Sequence, residues 1–246
     1  MTLPMKGRIA LVTGASRGIG LSISTKLAEA GAHVIALGRS LGEPRKLDQD
    51  DKFKSGKITP YSIDLRQYDQ VYELARSLDV TFGKIDALVS CAAIVHPLAP
   101  LGEIDQNLWD ETLSVNLTVN WHLIKAFDPL LKKSDAGRAV FFTSGVATLA
   151  WPNWAPYSVS KAGLDQLVRV YAAECSSGMI KANLFSPGPT RTGMRATVAP
   201  EEDPLTLPTP DEVAQKVIAM CLPAFSETGK IYDFRASRLM EFQRPC

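Results

Sequence analysis

Tyr157 and Lys161, in the run Tyr157-Ser158-Val159-Ser160-Lys161, are the residues best suited to chemistry. Positions four apart share one helix face, so the Lys161 ammonium can stand beside the Tyr157 phenol. A free tyrosine loses its proton near pH ~10. A nearby positive charge favours the phenolate and lowers that value, which makes the phenol usable as a general acid or base near neutral pH. Ser144 ends a strand-like run, and its hydroxyl can donate to an oxygen on which negative charge develops. A Tyr-x-x-x-Lys run alone is usually an exposed helix pair. Here it follows a strand that delivers a serine and lies downstream of a glycine-rich turn.

That turn is Thr13-Gly14-Ala15-Ser16-Arg17-Gly18-Ile19-Gly20. Its spacing is GxxxGxG, and it joins a strand to a helix. Glycines let the chain turn tightly and let a phosphate approach backbone N–H groups at a helix N-terminus. Without a ligand the same turn would be a tight connection only. The end of the second strand reads Leu37-Gly38-Arg39-Ser40 and carries no acid of the kind that accepts from the ribose 2′-hydroxyl of NAD. Arg39, with Arg17 beside it, can pair with the 2′-phosphate of NADP; otherwise both are solvated surface charges. Asp64, after the third strand, either lies near the adenine or caps a helix.

These groups need a scaffold that gathers strand ends, and the periodicity supplies one. Short aliphatic runs at 8–13, 33–37, 58–63, 87–89, 139–142, 181–185 and 229–234 alternate with helical patterns at 18–30, 67–82, 107–131, 156–175 and 211–221. Near-continuous apolar strands alternating with helices predict an α/β fold: one Rossmann-like, doubly wound parallel sheet of about seven strands, with helices on both faces. The long helix is expected to end near Pro129. Ser40 to Gly56, charged and broken by Gly42 and Pro44, is expected to hold only a short helix and to leave one face thinly covered. Residues 187–210 carry six prolines and fall where the strands' carboxyl ends bind ligands; they read as a substrate loop or lid. No linker or repeat divides the 246 residues, so a single domain over 1–246 is expected.

Composition excludes other classes. Net charge is +1 and the cations are scattered, which argues against nucleic acid and anionic membranes. No apolar run spans a bilayer, and the start lacks a secretion signal. Cys91, Cys175, Cys221 and Cys246 form no CxxC pair, and His33, His96 and His122 have no metal-ligand spacing. No metal is expected, and a reducing cytoplasm fits. His33 and His122 read as structural.

At this point the chain resembles the short-chain dehydrogenase/reductase family, small single-domain branch, from Arg8 to about Asp233. The motifs that carry the resemblance are Thr13-Gly14…Gly18-Ile19-Gly20, Asp64-Leu65, Asn116 in Val115-Asn116-Leu117, Ser144, Tyr157…Lys161 and Pro187-Gly188…Thr192. It implies that Tyr157 exchanges the proton and that Lys161 lowers its pKa and holds the nicotinamide ribose. Ser144 would position the reacting oxygen, and Asn116 would hold a relay water. It implies NADP(H) contacts at Gly14, Ser16, Arg17, Gly18, Ile19, Gly20, Arg39, Asp64, Leu65, Ser90, Ala92, Tyr157, Lys161, Pro187, Gly188, Thr190 and Thr192. It also implies a homodimer or homotetramer. The chain departs from the family at Ser90-Cys91-Ala92-Ala93, where Asn-Asn-Ala-Gly is common; the missing asparagines would stabilise the sheet centre.

The substrate side is expected to involve Ser144, Tyr157, Trp151, Trp154, His96 and Met194 around a largely apolar pocket, although the tryptophans would equally suit a core or subunit contact. Reduction of a ketone, aldehyde or 3-oxoacyl group with NADPH is the leading reading. An NAD-dependent alcohol dehydrogenase of the same fold, or a dinucleotide-binding scaffold without turnover, are the alternatives.

Overall fold

The structure, a computed structural model, describes residues 3–41 and 57–242. Among these residues eight strands form one sheet. They are β1 (Ile9–Thr13), β2 (His33–Gly38), β3 (Lys57–Ser62), β4 (Ala87–Ser90), β5 (Arg138–Phe142), β6 (Lys181–Ser186), β7 (Ile231–Asp233) and β8 (Arg238–Met240). Their order is β3-β2-β1-β4-β5-β6-β7-β8, parallel throughout except for β8, which pairs antiparallel with β7. The last strand is an addition to the seven that periodicity suggests; three residues at an edge are too short to show alternation.

Strand side chains alternate between faces, and both faces are apolar. Leu11, Leu37, Leu88, Phe141 and Leu184 pack against α2 (Tyr68–Phe82), α4 (Val119–Lys132) and α5 (Ala155–Glu174). Val12, Val34, Val89, Val140 and Phe185 pack against α1 (Gly18–Glu29) and α7 (Pro210–Cys221). Each such side chain, fully buried, contributes about 1.5–3 kcal/mol. Two packed cores therefore hold the sheet rigid, and its carboxyl edge becomes a fixed platform. The order reverses between β1 and β4, which opens a crevice there.

Three local expectations need correction. The stretch expected as one helix over 107–131 is α3 (Gln106–Leu113) followed by α4, joined by a π-helical turn at Ser114–Thr118. Pro129 does not end α4, which runs to Lys132 because Leu130 and Leu131 are buried in the core. The proline-rich stretch, expected as a loop or lid, is partly helical. It holds α6 (Gly193–Val198), capped by Thr192, and a short turn at Pro204–Thr206. The expected short helix within Ser40 to Gly56 lies, from residue 42 on, outside the described residues.

Candidate active site

The turn after β1 is built for a close approach. Gly14 and Gly18 have φ of 69° and 56°, where a side chain is strained. A Cβ on Gly14 would stand 2.9 Å from the Ala92 backbone, and one on Gly20 would stand 2.3 Å from the Gly14 carbonyl oxygen. The N-cap of α1, Arg17, is extended and makes no side-chain cap bond, and no acid stands in the first turn. By contrast Asp105, Thr192 and Thr209 cap their helices. The N-terminus of α1 thus presents uncapped N–H groups and the positive end of its dipole to the crevice, which is the arrangement an anion needs. Thr192 comes up against this turn: a Cβ on Gly18 would lie 3.4 Å from the Thr192 methyl. The proline-rich segment therefore meets the glycine turn.

Arg17 and Arg39 are exposed, and Arg39 directly follows β2. The Asp64 carboxylate is engaged by the Arg66 guanidinium through Nε and Nη2 (3.0 and 2.7 Å). That hydrogen-bonded pairing holds the Asp64 carboxyl below the usual carboxylate range. Arg66 also reaches Glu111 at 2.7 Å, and Glu111 lies 3.2 Å from His96 Nε2. The last contact is off the line of a hydrogen bond, and that nitrogen has no hydrogen-bond partner among the described residues.

Ser144 follows β5 and caps the short turn Gly145–Ala147. Ser158 donates to the Val146 carbonyl oxygen at 2.7 Å, clamping this turn onto the first turn of α5. Tyr157 lies in that same turn of α5, and a hydrogen bond from Ser144 pulls its pKa down. Burial acts the other way and dominates, pushing the phenol up to about 12. Here burial outweighs the lowering on the phenol. Lys161 is 2% exposed and donates to the Phe142 carbonyl oxygen at 2.7 Å. Its Nζ stands 5.6 Å from the Tyr157 ring centroid. Burial brings the Lys161 pKa down to about 8. Spacing along a helix cannot reveal either the competing carbonyl or the cost of desolvation.

Two groups near Lys161 were not foreseen. Asp165, one helical turn on and 7% exposed, is pushed up to about 6 by burial, with Lys161 and Arg169 pulling it back. The Cys91 thiol is pushed up to about 12 by burial, so it stays neutral beside Lys161. The four-residue step from Lys161 to Asp165 was the available signal; Cys91 stands in the run that departs from the family pattern, but nothing in that run places it beside Lys161.

Asn116 sits in the π-helical turn and is fully buried. Its side chain is committed to protein: Nδ2 donates to the Ile94 carbonyl oxygen (2.9 Å) and to Ser160 Oγ (3.2 Å), and Oδ1 accepts from the Ile94 N–H (2.8 Å). It ties the loop after β4 to α5. The Asn116 carbonyl oxygen accepts from Asn120 Nδ2 at 2.9 Å, and Ser90 Oγ donates to Asn120 Oδ1 at 2.6 Å. Thr13 Oγ1 accepts from the N–H groups of Cys91 and Ala92, each at 3.1 Å. Asn120, from a helix, thus supplies the amide that the Ser90-Cys91 sequence lacks at the sheet centre.

A cavity of about 120 Å³ opens at Tyr157. Trp154 and His96 line it. Trp151 does not; it is 51% exposed and leans on Trp154 at 6.1 Å between ring centroids. Met194 lies on α6, outside the lining. Pro187 follows β6, Gly188 has φ of 65°, and Thr190 is buried with its hydroxyl donating to the Gly188 carbonyl oxygen. His33 and His122 are structural: His33 meets Thr59 at 2.8 Å, and His122 stacks on Tyr68.

The short chain dehydrogenase family model matches residues 8–203. The chain belongs to that family. It is 34% identical over 238 residues to the uncharacterized oxidoreductase YciK of Escherichia coli K12, covering 95% of this chain and 94% of that one. Among solved structures, a short chain dehydrogenase from Shigella flexneri 2a complexed with NADP superposes with a TM-score of 0.87 at 30% identity, covering 95% of this chain and 99% of that one. Another from Escherichia coli CFT073, complexed with NADPH, gives 0.87 at 31% identity, covering 95% and 98%. This short chain dehydrogenase is an oxidoreductase acting on CH–OH or carbonyl groups. Its glycine turn, uncapped α1 and buried Lys161 fit a dinucleotide. Among the described residues no three His, Cys, Asp or Glu gather as a metal site, and no helix is long and apolar enough to cross a membrane.

Proposed function

We propose that this short chain dehydrogenase reduces the carbonyl of a small ketone or aldehyde with NADPH, and that Tyr157 donates the proton. The observation that carries this reading is Tyr157 lining a cavity, hydrogen-bonded to Ser144 and with the buried Lys161 Nζ 5.6 Å from its ring centroid. A phenol held up at about 12 is protonated throughout the neutral range, which suits a proton donor better than an acceptor.

Gly14, Ser16, Gly18, Ile19 and Gly20 would hold the pyrophosphate, with Arg17 and Arg39 on the 2′-phosphate. Asp64, Leu65, Ser90 and Ala92 would flank the adenosine. Lys161, Pro187, Gly188, Thr190 and Thr192 would meet the nicotinamide end. When bound, NADPH supplies a hydride to the carbonyl carbon. Ser144 Oγ hydrogen-bonds the carbonyl oxygen, and the bond strengthens as negative charge gathers there. Tyr157 Oη transfers its proton to that oxygen. The Lys161 ammonium steadies the phenolate left behind and is the near source from which it is reprotonated. Asn116 contributes by fixing the Ile94 loop against α5 rather than by touching the reacting atoms.

We further propose that the chain is one domain, works in the cytoplasm as a homodimer or homotetramer, and needs no metal. The test is a panel of carbonyl compounds scored by loss of NADPH absorbance. Turnover with NADPH well above NADH, abolished in Tyr157→Phe, supports the proposal. Equal turnover in Tyr157→Phe removes it.

A further inference from the structure

We infer that the cavity at Tyr157 selects an uncharged, apolar carbonyl compound and rejects anions. This deepens the reading above and rests on Tyr157 marking the reacting end. The walls are mostly apolar, and Val95, Leu98, Ile104, Leu108 and Trp154 are among the residues that line them. Among the described residues the only formally charged lining groups are the carboxylates of Glu103 and Asp105, and no described Lys or Arg lines the cavity. The cation behind its wall is already engaged, since Arg66 is bound to both Asp64 and Glu111. His96 Nε2 is turned toward Glu111. An anionic substrate would lose water without gaining a cationic partner, and it would face two like charges.

The aromatic residues set the shape that is favoured. Trp154 stands edge-on between Trp151 and Tyr157, with centroids 6.1 and 5.9 Å away. An aryl or branched alkyl group beside the carbonyl would lie against this edge-to-face run. Leu98 and Leu108, 37% and 36% exposed, extend the apolar wall toward the mouth. A 3-oxoacyl group arriving on a negatively charged carrier would meet the same two lining carboxylates, so carrier-borne substrates are disfavoured.

The test measures binding apart from turnover. Tyr157→Phe protein loaded with NADPH is titrated by NMR with acetophenone and with 4-acetylbenzoate, which differ by one carboxylate. Acetophenone should bind at least about tenfold more tightly. In Glu103→Gln/Asp105→Asn the gap should narrow by roughly threefold through tighter binding of the anion, because asparagine still caps α3 and the fold is kept. Equal or tighter binding of the anion, no binding of acetophenone, or a gap unmoved by the double variant overturns the inference. A failure of the proton-donor reading looks different: acetophenone turnover would survive Tyr157→Phe while the binding preference stayed intact.

Discussion

Replacing Asn120 with leucine keeps the side-chain volume and removes both buried hydrogen bonds that join β4 to the π-helical turn. Asn120 is 2% exposed and Ser90 4%, so water cannot replace what is lost. The Asn116 carbonyl oxygen loses its Asn120 partner, which costs about 1–3 kcal/mol. Ser90 keeps Thr13 Oγ1 at 3.5 Å, a long contact that recovers little, so the sum should fall near 2–4 kcal/mol. For a chain of this size that lowers Tm by about 5–15 °C. Thermal and urea unfolding of Asn120→Leu, Ser90→Ala and the double variant form the assay. The double variant should lose about 1 kcal/mol less than the two singles added, because the pair shares one bond. Turnover should fall as well, since Asn116 holds the Ile94 loop against α5. A loss below about 0.5 kcal/mol in Asn120→Leu, or strict additivity, would refute the claim that Asn120 stands in for the missing sheet-centre amide.

Other outcomes follow from the same geometry. Lys161 carries its charge below about 8 and loses it as pH rises through that value, so kcat/KM for reduction should be flat below this pH and fall above it. A profile that climbs through this region would contradict the role given to Lys161. Arg39→Asp should weaken NADPH binding by about ten- to a hundredfold while sparing NADH; unchanged discrimination in equilibrium titrations would remove Arg39 from the 2′-phosphate site. Gly14→Ala should cost about 2 kcal/mol or more, from the left-handed φ and the clash with the Ala92 backbone, and should abolish dinucleotide binding. Wild-type dinucleotide affinity in Gly14→Ala would exclude a bound pyrophosphate at this turn.

Much of the platform was legible because both faces of each strand are apolar and the connecting helices have clear stripes. What escaped has physical causes. A π-helical turn inserts one residue into a helical period, so the 107–131 pattern reads as one helix although Asn116 sits at the break. Pro129 removes one backbone donor, and Leu130 and Leu131 hold the helix past it. α6 carries its own cap in Thr192 and an Arg195–Glu202 pair (2.9 Å between Nη2 and Oε1), signals masked by six surrounding prolines. At the site, the types and order of Ser144, Tyr157 and Lys161 could be read directly. The balance of forces on Tyr157 could not, since it depends on depth and on the Phe142 carbonyl oxygen, neither of which spacing encodes. Asn120 went unnoticed because an amide in a helix means little until its partners across the sheet are known.

The sharpest test of the proton-donor account is the single-turnover rate of NADPH oxidation in Tyr157→Phe beside the wild type, with NADPH affinity measured on both. Loss of a positioned proton donor should slow the step by about 10²–10⁴-fold while leaving NADPH affinity within about a factor of two. A rate within roughly threefold of wild type, at unchanged NADPH affinity, would mean that the proton comes from another group.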